Sequence, residues 1–355
     1  MNGRSPGDKL QDIACPAPVH QRSKIIAAHG GGGRLTRQLI ERVFQPAFDN
    51  PGLDTGHDGA VVDVGPERLV MTTDSYVVQP LFFPGGDIGS LAVNGTVNDL
   101  SMCGARPLYL SAAFILEEGL PLEALEKIAA SMRRAADEAG VRIVTGDTKV
   151  VETGNGDGMF ITTTGVGRME TALSVHPSSI RPGDRIVLSG GLARHGIAVL
   201  DARNRLGLDC GVESDCAPLN RPVQQLLDAG VAIHCMRDLT RGGMATALVE
   251  LAQSCSLDFR IQERQLPIDE KVRGACEILG FDPLYVANEG CFVCFVTESE
   301  AERALEVLHK NPVTQQARIV GQVEDSGTGT VVLETGLGTG RRLDLLSGEQ
   351  LPRIC

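Results

Sequence analysis

The stretch TTDSYVVQPLFFPGGDIGSLAVNGTVNDLSMCGARPLYLSAAFILEEGLP, residues 72–121, decides the fold. It opens in a strand, Leu69 to Thr73, that ends at Asp74. A helix of small residues is predicted over 87–103, closed by Gly104 and Pro107. A long strand, Leu108 to Leu116, follows. Pro121 then starts a second helix, with Leu122, Leu125, Ile128, Ala129 and Met132 on one apolar face up to Gly140. Val141 to Val144 reads as a short buried strand, Thr145 to Lys149 as a loop and Met159 to Val166 as another strand. Strands alternating with helices give an α/β or α+β domain over about residues 35–170.

Upstream, AHGGGGRLTRQLIERVF (28–44) runs four glycines into Leu35, Leu39, Ile40 and Val43 at helical spacing, a Gly-rich loop opening a helix. Downstream, the Pro- and Ser-rich run HPSSIRPGDR (176–185) marks a domain boundary, and a strand, Ile186 to Ser189, restarts the pattern. Helices are expected near 194–206, 222–229, 242–254, 268–279 and 299–309, and strands near 257–261, 291–297 and 318–324. The division is a leader (1–22), an N-terminal domain (23–175), a C-terminal domain (176–344) and a flexible tail (345–355).

At 355 residues the chain suits two domains. Hydrophobic residues at 42% and charged residues at 22% allow real cores, which must be aliphatic because aromatics are 4% and Trp is absent. A net charge of −12 disfavours nucleic acid and anionic membranes as partners. No apolar run approaches the roughly 20 residues of a membrane span, and MNGRSPGDKL lacks a signal-peptide core. The expected compartment is the cytoplasm, with the ten Cys as reduced thiols.

Acidic and amide residues gather at predicted strand ends: Asp58, Asp63, Asp74, Asn94, Asn98, Asp99, Asp147 and Asp238. Such clusters collect oxygen ligands for Mg²⁺, although each residue alone would equally serve a turn or a cap. The glycine run could wrap a phosphate or act only as a linker; it has no Walker A ending. Thr145-Gly146-Asp147-Thr148-Lys149 would suit a phosphate and metal corner, or only a surface ion pair. Cys291-Phe-Val-Cys294 reads as a buried strand rather than a zinc site, since no second ligand pair accompanies it. Cys355, on the last residue beside its own carboxylate, is untuned as a nucleophile and suits a tether that carries a group, although taken alone it would equally be a chance terminal Cys.

The segments HGGGGRLTRQLIERVF, residues 72–121, VTGDTKVV, RDLTRGG, NEG and the terminal PRIC together resemble the HypE family of hydrogenase-maturation carbamoyl dehydratases, in order from about residue 25 to 355. The resemblance implies the two-domain aminoimidazole ribonucleotide synthetase-like fold, with the N-terminal sheet pairing in a homodimer. It implies that a HypF-type transferase loads a carbamoyl group onto Cys355. ATP with Mg²⁺ then drives dehydration to a thiocyanate, and the cyanide passes to iron on a HypC–HypD scaffold for a NiFe centre. Carried onto this chain, the metal ligands are Asp58, Asp74, Asp99, Asp147 and Asp238, and the ATP contacts are Gly31, Gly32, Gly33, Asn98, Thr148 and Arg241. Lys149 would stabilise the phosphorylated oxygen, and Glu289, ionised at neutral pH, would take the proton from nitrogen. The superfamily often carries paired acids at the first metal site; here the pair reads His57-Asp58. A selenophosphate synthetase-like or thiamine-phosphate kinase-like enzyme would leave the PRIC end without a purpose. A scaffold that merely presents a thiol would have no use for the carboxylates.

Overall fold

The computed structural model describes residues 24–48, 56–170, 174–203, 210–325, 327–346, 351 and 354–355. The leader expected over 1–22, and Gly348, Pro352 and Arg353 of the tail, lie outside the described residues.

The N-terminal half opens with a short helix, α1 (Arg34–Leu39), continued through a π-helical turn, Ile40–Phe44, into α2 (Gln45–Phe48). Then come β1 (Ala60–Val64), β2 (Glu67–Tyr76), the small pair β3 (Phe82–Phe83) and β4 (Gly86–Asp87), α3 (Ile88–Met102), β5 (Ala105–Glu117), α4 (Leu122–Ala139), β6 (Arg142–Val151) and β7 (Met159–Met169). Five strands form one sheet in the order β1-β2-β7-β5-β6. Only β5 and β6 run parallel, joined by α4; the other neighbours are antiparallel.

Capping fixes where α3 starts. The Asp87 carboxylate accepts from the Gly89 and Ser90 amides, and the Ser90 hydroxyl accepts from the Asp87 amide. Almost the whole helix surface is buried, because its small residues let it lie between the sheet and the C-terminal half. The second helix, α4, ends at Gly140 in the left-handed region at φ 71°. Its buried stripe is Ile128, Met132, Ala135, Ala136 and Ala139, whereas Leu122 and Ala129, expected on that face, are exposed.

Two expectations about the sheet need correction. The segment expected as a short buried strand and a loop over 141–149 is a single long edge strand, β6, in which only Val141 just before it is buried. With β5 on one side only, β6 leaves Ile143, Val144 and Val150 in solvent. Likewise β2 does not stop before Asp74 but runs on to Tyr76, paired to β7 throughout.

In the C-terminal half, β8 (Arg185–Leu188), α5 (Arg194–Ala202), α6 (Asn220–Asp228), β9 (Ile233–Asp238), α7 (Gly243–Cys255), β10 (Asp258–Gln262), α8 (Glu270–Leu279), β11 (Phe292–Val296), α9 (Ala301–Leu308), β12 (Arg318–Glu324), β13 (Val331–Glu334) and β14 (Gly340–Leu343) follow in turn. Their seven strands form one sheet, β14-β13-β10-β12-β8-β11-β9. Strand β11, with Cys294, is buried on both faces, as its unbroken apolar run requires. One aliphatic core runs from Tyr76 and Leu91 through Ile186 and Leu248 to Leu351 and Ile354, so the two halves share an interior and the chain's end packs into it.

Candidate active site

Three carboxylates meet where the halves touch. Asp58 lies in the turn before β1, Asp99 in the last turn of α3 and Asp238 at the end of β9. One oxygen from each lies within 4.8 Å of the others. The Arg237 guanidinium forms an ion pair with Asp58, Nε to Oδ1 at 2.7 Å, and the Thr72 hydroxyl donates to Asp99 at 2.7 Å. Asp58 Oδ2 is buried without a hydrogen-bond partner. Burial first, and neighbouring carboxylates second, push Asp99 and Asp238 well above the usual carboxylate range. Such a cluster is electrostatically short of positive charge. Its hard oxygen donors and the orphaned Asp58 oxygen fit a magnesium ion.

Asp74 on β2 adjoins this cluster and accepts a hydrogen bond from the Tyr76 hydroxyl at 3.2 Å. These groups line a cavity of about 220 Å³ that also holds Arg241, Glu289 and Cys355. The terminal residue therefore does not hang in solvent. Burial, then the Glu289 and Asp74 carboxylates, push its thiol far above the ordinary range, with Arg241 opposing them. Docked here the sulfur stays a thiol.

Glu289 sits in the turn before β11, 3% exposed. Its backbone is held by Asp215, whose two oxygens accept from the Glu289 and Gly290 amides at 3.1 Å each. Residue 290 must be glycine because a Cβ there would lie 1.8 Å from the Asp215 carbonyl oxygen. Glu289 Oε1 has no hydrogen-bond partner. Burial, followed by Asp238, Asp215 and Asp74, holds its carboxyl well above its ordinary value, against the pull of Arg241. Enclosed among other acids, Glu289 is thus harder to ionise than the expectation of an ordinary carboxylate allowed.

The glycine loop borders a second, larger groove of about 670 Å³, lined by Gly32, Thr36, Arg37, Thr240 and Arg241 and continuous with Asp58. Gly32 lies at φ +77°, and a Cβ on it would meet the Arg241 backbone oxygen at 2.9 Å. Arg241 donates to the Gly30 carbonyl at 2.9 Å, locking the loop to the strand-to-helix turn after β9.

Comparison with known proteins fits this geometry. Residues 56–169 match the AIR synthase related protein, N-terminal domain, and 181–334 match its C-terminal domain. The carbamoyl dehydratase HypE of Azotobacter vinelandii is 52% identical over 94% of this chain and 98% of its own length. The chain belongs to the carbamoyl dehydratase HypE family. A solved structure of hydrogenase maturation protein HypE in complex with ATP is 49% identical, with a TM-score of 0.78 over 94% of this chain and all of that one. Another, of a HypE–HypF complex, is 47% identical with a TM-score of 0.82, over 87% of this chain and 99% of that one.

For a HypE family chain the expected site residues divide sharply. Asp58, Asp74, Asp99, Asp238, Arg241, Glu289 and Cys355 come together around the small cavity, with Gly32 at the adjoining groove. Asn98, expected as a phosphate contact, is turned into the interface between the halves. It is 2% exposed, its amide donates to the Ala217 and Glu289 carbonyls, and its oxygen accepts from the Leu219 amide. One residue along α3 from Asp99, it points to the C-terminal half and clamps the halves together. Asp147, Thr148 and Lys149 are not brought to the cluster within one chain either. They lie on exposed β6, where Lys149 pairs with Asp147 at 3.1 Å.

Sequence reasoning missed Thr72, Tyr76, Arg237, Asp215 and His195. Arg237 adjoins Asp238 inside a quoted motif, a usable signal. Asp215, 74 residues before Glu289 and held to it only by the fold, gave none. The described residues contain no helix long and apolar enough to cross a membrane.

Proposed function

We propose that the chain uses ATP to dehydrate a carbamoyl group carried on its own Cys355, leaving a thiocyanate. The observation that carries this reading is the placement of the Cys355 thiol against Glu289 in the acidic cavity. Amide oxygen is a poor leaving group and phosphate a good one. In the first step the carbamoyl oxygen attacks the terminal phosphorus of ATP: an O–P bond forms and the P–O bond to ADP breaks. In the second the nitrogen gives up its protons and the C–O bond breaks, releasing phosphate and leaving S–C≡N. A bound magnesium ion, held by Asp58, Asp99 and Asp238 with Asp74 beside them, would neutralise charge on the phosphates. Arg241, reaching both the tail cavity and the glycine-loop groove, orients the oxygen toward the phosphates. Glu289 receives the nitrogen proton once the cavity holds the cations that ionise it. A carboxyl with a raised pKa is the stronger base when it does ionise.

Loading requires the tail to leave the cavity for a HypF-type transferase, and delivery of cyanide to iron on a HypC–HypD scaffold requires it to leave again. The bare edge of β6, with its exposed apolar residues, supports a homodimer in which a second copy covers that edge and meets the Asp147–Lys149 motif. Compartment follows the chemistry of reduced thiols and ATP, the cytoplasm. The test is mass spectrometry of the Cys355 peptide. Transferase, carbamoyl phosphate and ATP should add one HNCO and then remove one water. A Cys355→Ala protein modified in the same way would overturn the reading.

A further inference from the structure

Beyond the acidic cavity, one buried histidine takes no part in the chemistry above yet touches the tail. His195, in the first turn of α5, is fully buried, and its Nε2 lies 2.5 Å from the Ile354 carbonyl oxygen. Its Nδ1 lies 2.8 Å from the Ser214 hydroxyl. The proton positions follow from the partners. A carbonyl oxygen only accepts, so Nε2 carries the hydrogen and donates it. In the neutral ring Nδ1 then accepts from the Ser214 hydroxyl, whose oxygen in turn accepts from the Cys216 amide at 3.0 Å. Every donor in that chain of bonds has an acceptor. The edge of Phe83, 5.4 Å away and perpendicular, fixes the ring plane. The only other backbone tie described for the last two residues is the bridge between Val78 and Ile354.

We propose that His195 is the positioning residue that registers the C-terminal tail, its Nε2–H holding the Ile354 carbonyl so that the Cys355 sulfur meets Glu289. The loop of Ser214, Asp215 and Cys216 orients both sides of that meeting. Ser214 sets the histidine, and Asp215, its neighbour in the chain, holds the Glu289 turn. The tail and the base are therefore indexed to one three-residue frame. Neutral imidazole suits the task, since a donor without charge binds the carbonyl yet lets it go when the tail must leave.

The proposal rests on Cys355 being the carrier, and the test separates the two. In full-length protein, the alkylation rate of Cys355 by iodoacetamide, read from its peptide mass, reports how often the tail is out. Transferase loading and single-turnover dehydration are measured alongside. His195→Leu, without the donor, should speed alkylation about fivefold to tenfold, the worth of one hydrogen bond. It should still accept the carbamoyl group and should slow dehydration by at least the same factor. His195→Gln, whose amide places an N–H near the Nε2 position, should stay within about twofold of the parent in all three, by the same hydrogen-bond argument. Unchanged alkylation and dehydration in His195→Leu overturn the proposal, as does a His195→Gln protein as impaired as the Leu variant. Should the Leu variant not fold, Ser214→Ala decides, because it keeps the ring but removes the hydroxyl that anchors Nδ1 and so aims Nε2 at the tail. Faster alkylation supports the latch, and an unchanged rate overturns it. Failure of the parent to carry a carbamoyl group on Cys355 would refute the functional reading, while the alkylation comparison would still judge the latch.

Discussion

Glu289 and His195 are buried to similar degrees, and burial disfavours the charged form of each, so their titrations carry opposite signs. Glu289 with a raised pKa is inactive as a base when protonated. Single-turnover dehydration should therefore rise with pH and level off once Glu289 is ionised. Glu289→Gln should abolish that limb and slow dehydration by on the order of a hundredfold or more, while the Cys355 peptide keeps its carbamoyl mass. A Gln variant that loses water normally would remove Glu289 from the chemistry. For His195, burial lowers the pKa to about 4, with the Ile354 carbonyl opposing. An unfolded histidine titrates near 6.5, so between these values the unfolded state binds more protons. The stability His195 contributes is present in full above about pH 6.5 and is lost as pH falls toward 4, about 3 kcal/mol over the range. The raised carboxylates slope the other way, gaining stability as pH falls. The difference between parent and His195→Gln in denaturation free energy isolates the histidine, and it should narrow from pH 7 to pH 5.

At the scale of elements, α3 explains how one helix serves two purposes. Asp99 faces the acids from β2 and β9, while Asn98, next along the helix, faces the loops of the other half. Asp238→Asn removes a carboxylate whose ionisation burial and its neighbours disfavour, so thermal stability should hold or rise by a few degrees. Magnesium-dependent ATP turnover should fall on the order of a hundredfold, as loss of a charged ligand group predicts. Asn98→Ala should do the reverse. Three bonds to backbone groups would be lost inside a closed interface, costing about 2–4 kcal/mol, and the melting temperature should drop well before nucleotide affinity changes. An Asn98→Ala protein of normal stability with lost ATP binding would restore the phosphate role expected for it.

In the molecule as a whole the β6 edge carries exposed apolar residues, and its motif lies far from the acids of its own chain. In a homodimer that edge is covered. Val144→Lys, at a residue 59% exposed in the single chain, should therefore reduce the particle mass in solution to that of one chain without lowering helix content. A fully dimeric Val144→Lys protein would place the interface elsewhere.

How much of this could be read without coordinates depends on the range of the forces involved. The strand–helix–strand order around residues 72–121 and the buried β11 are local matters of apolar period, capping residue and side-chain type, and the sequence determined them. Which acids converge is not local. Asp58, Asp99 and Asp238 are separated by long stretches of chain and meet only because two halves pack across α3. Nor could residue type alone tell Asp99, in the cavity, from Asn98, in the interface. Their roles are set by the rotation between successive residues on a helix whose neighbours the tertiary fold supplies. Titration was the last thing decided. A carboxylate written in a sequence ionises in the ordinary range until the fold removes its water and surrounds it with other acids, and at Glu289 the fold did both, which raises its pKa.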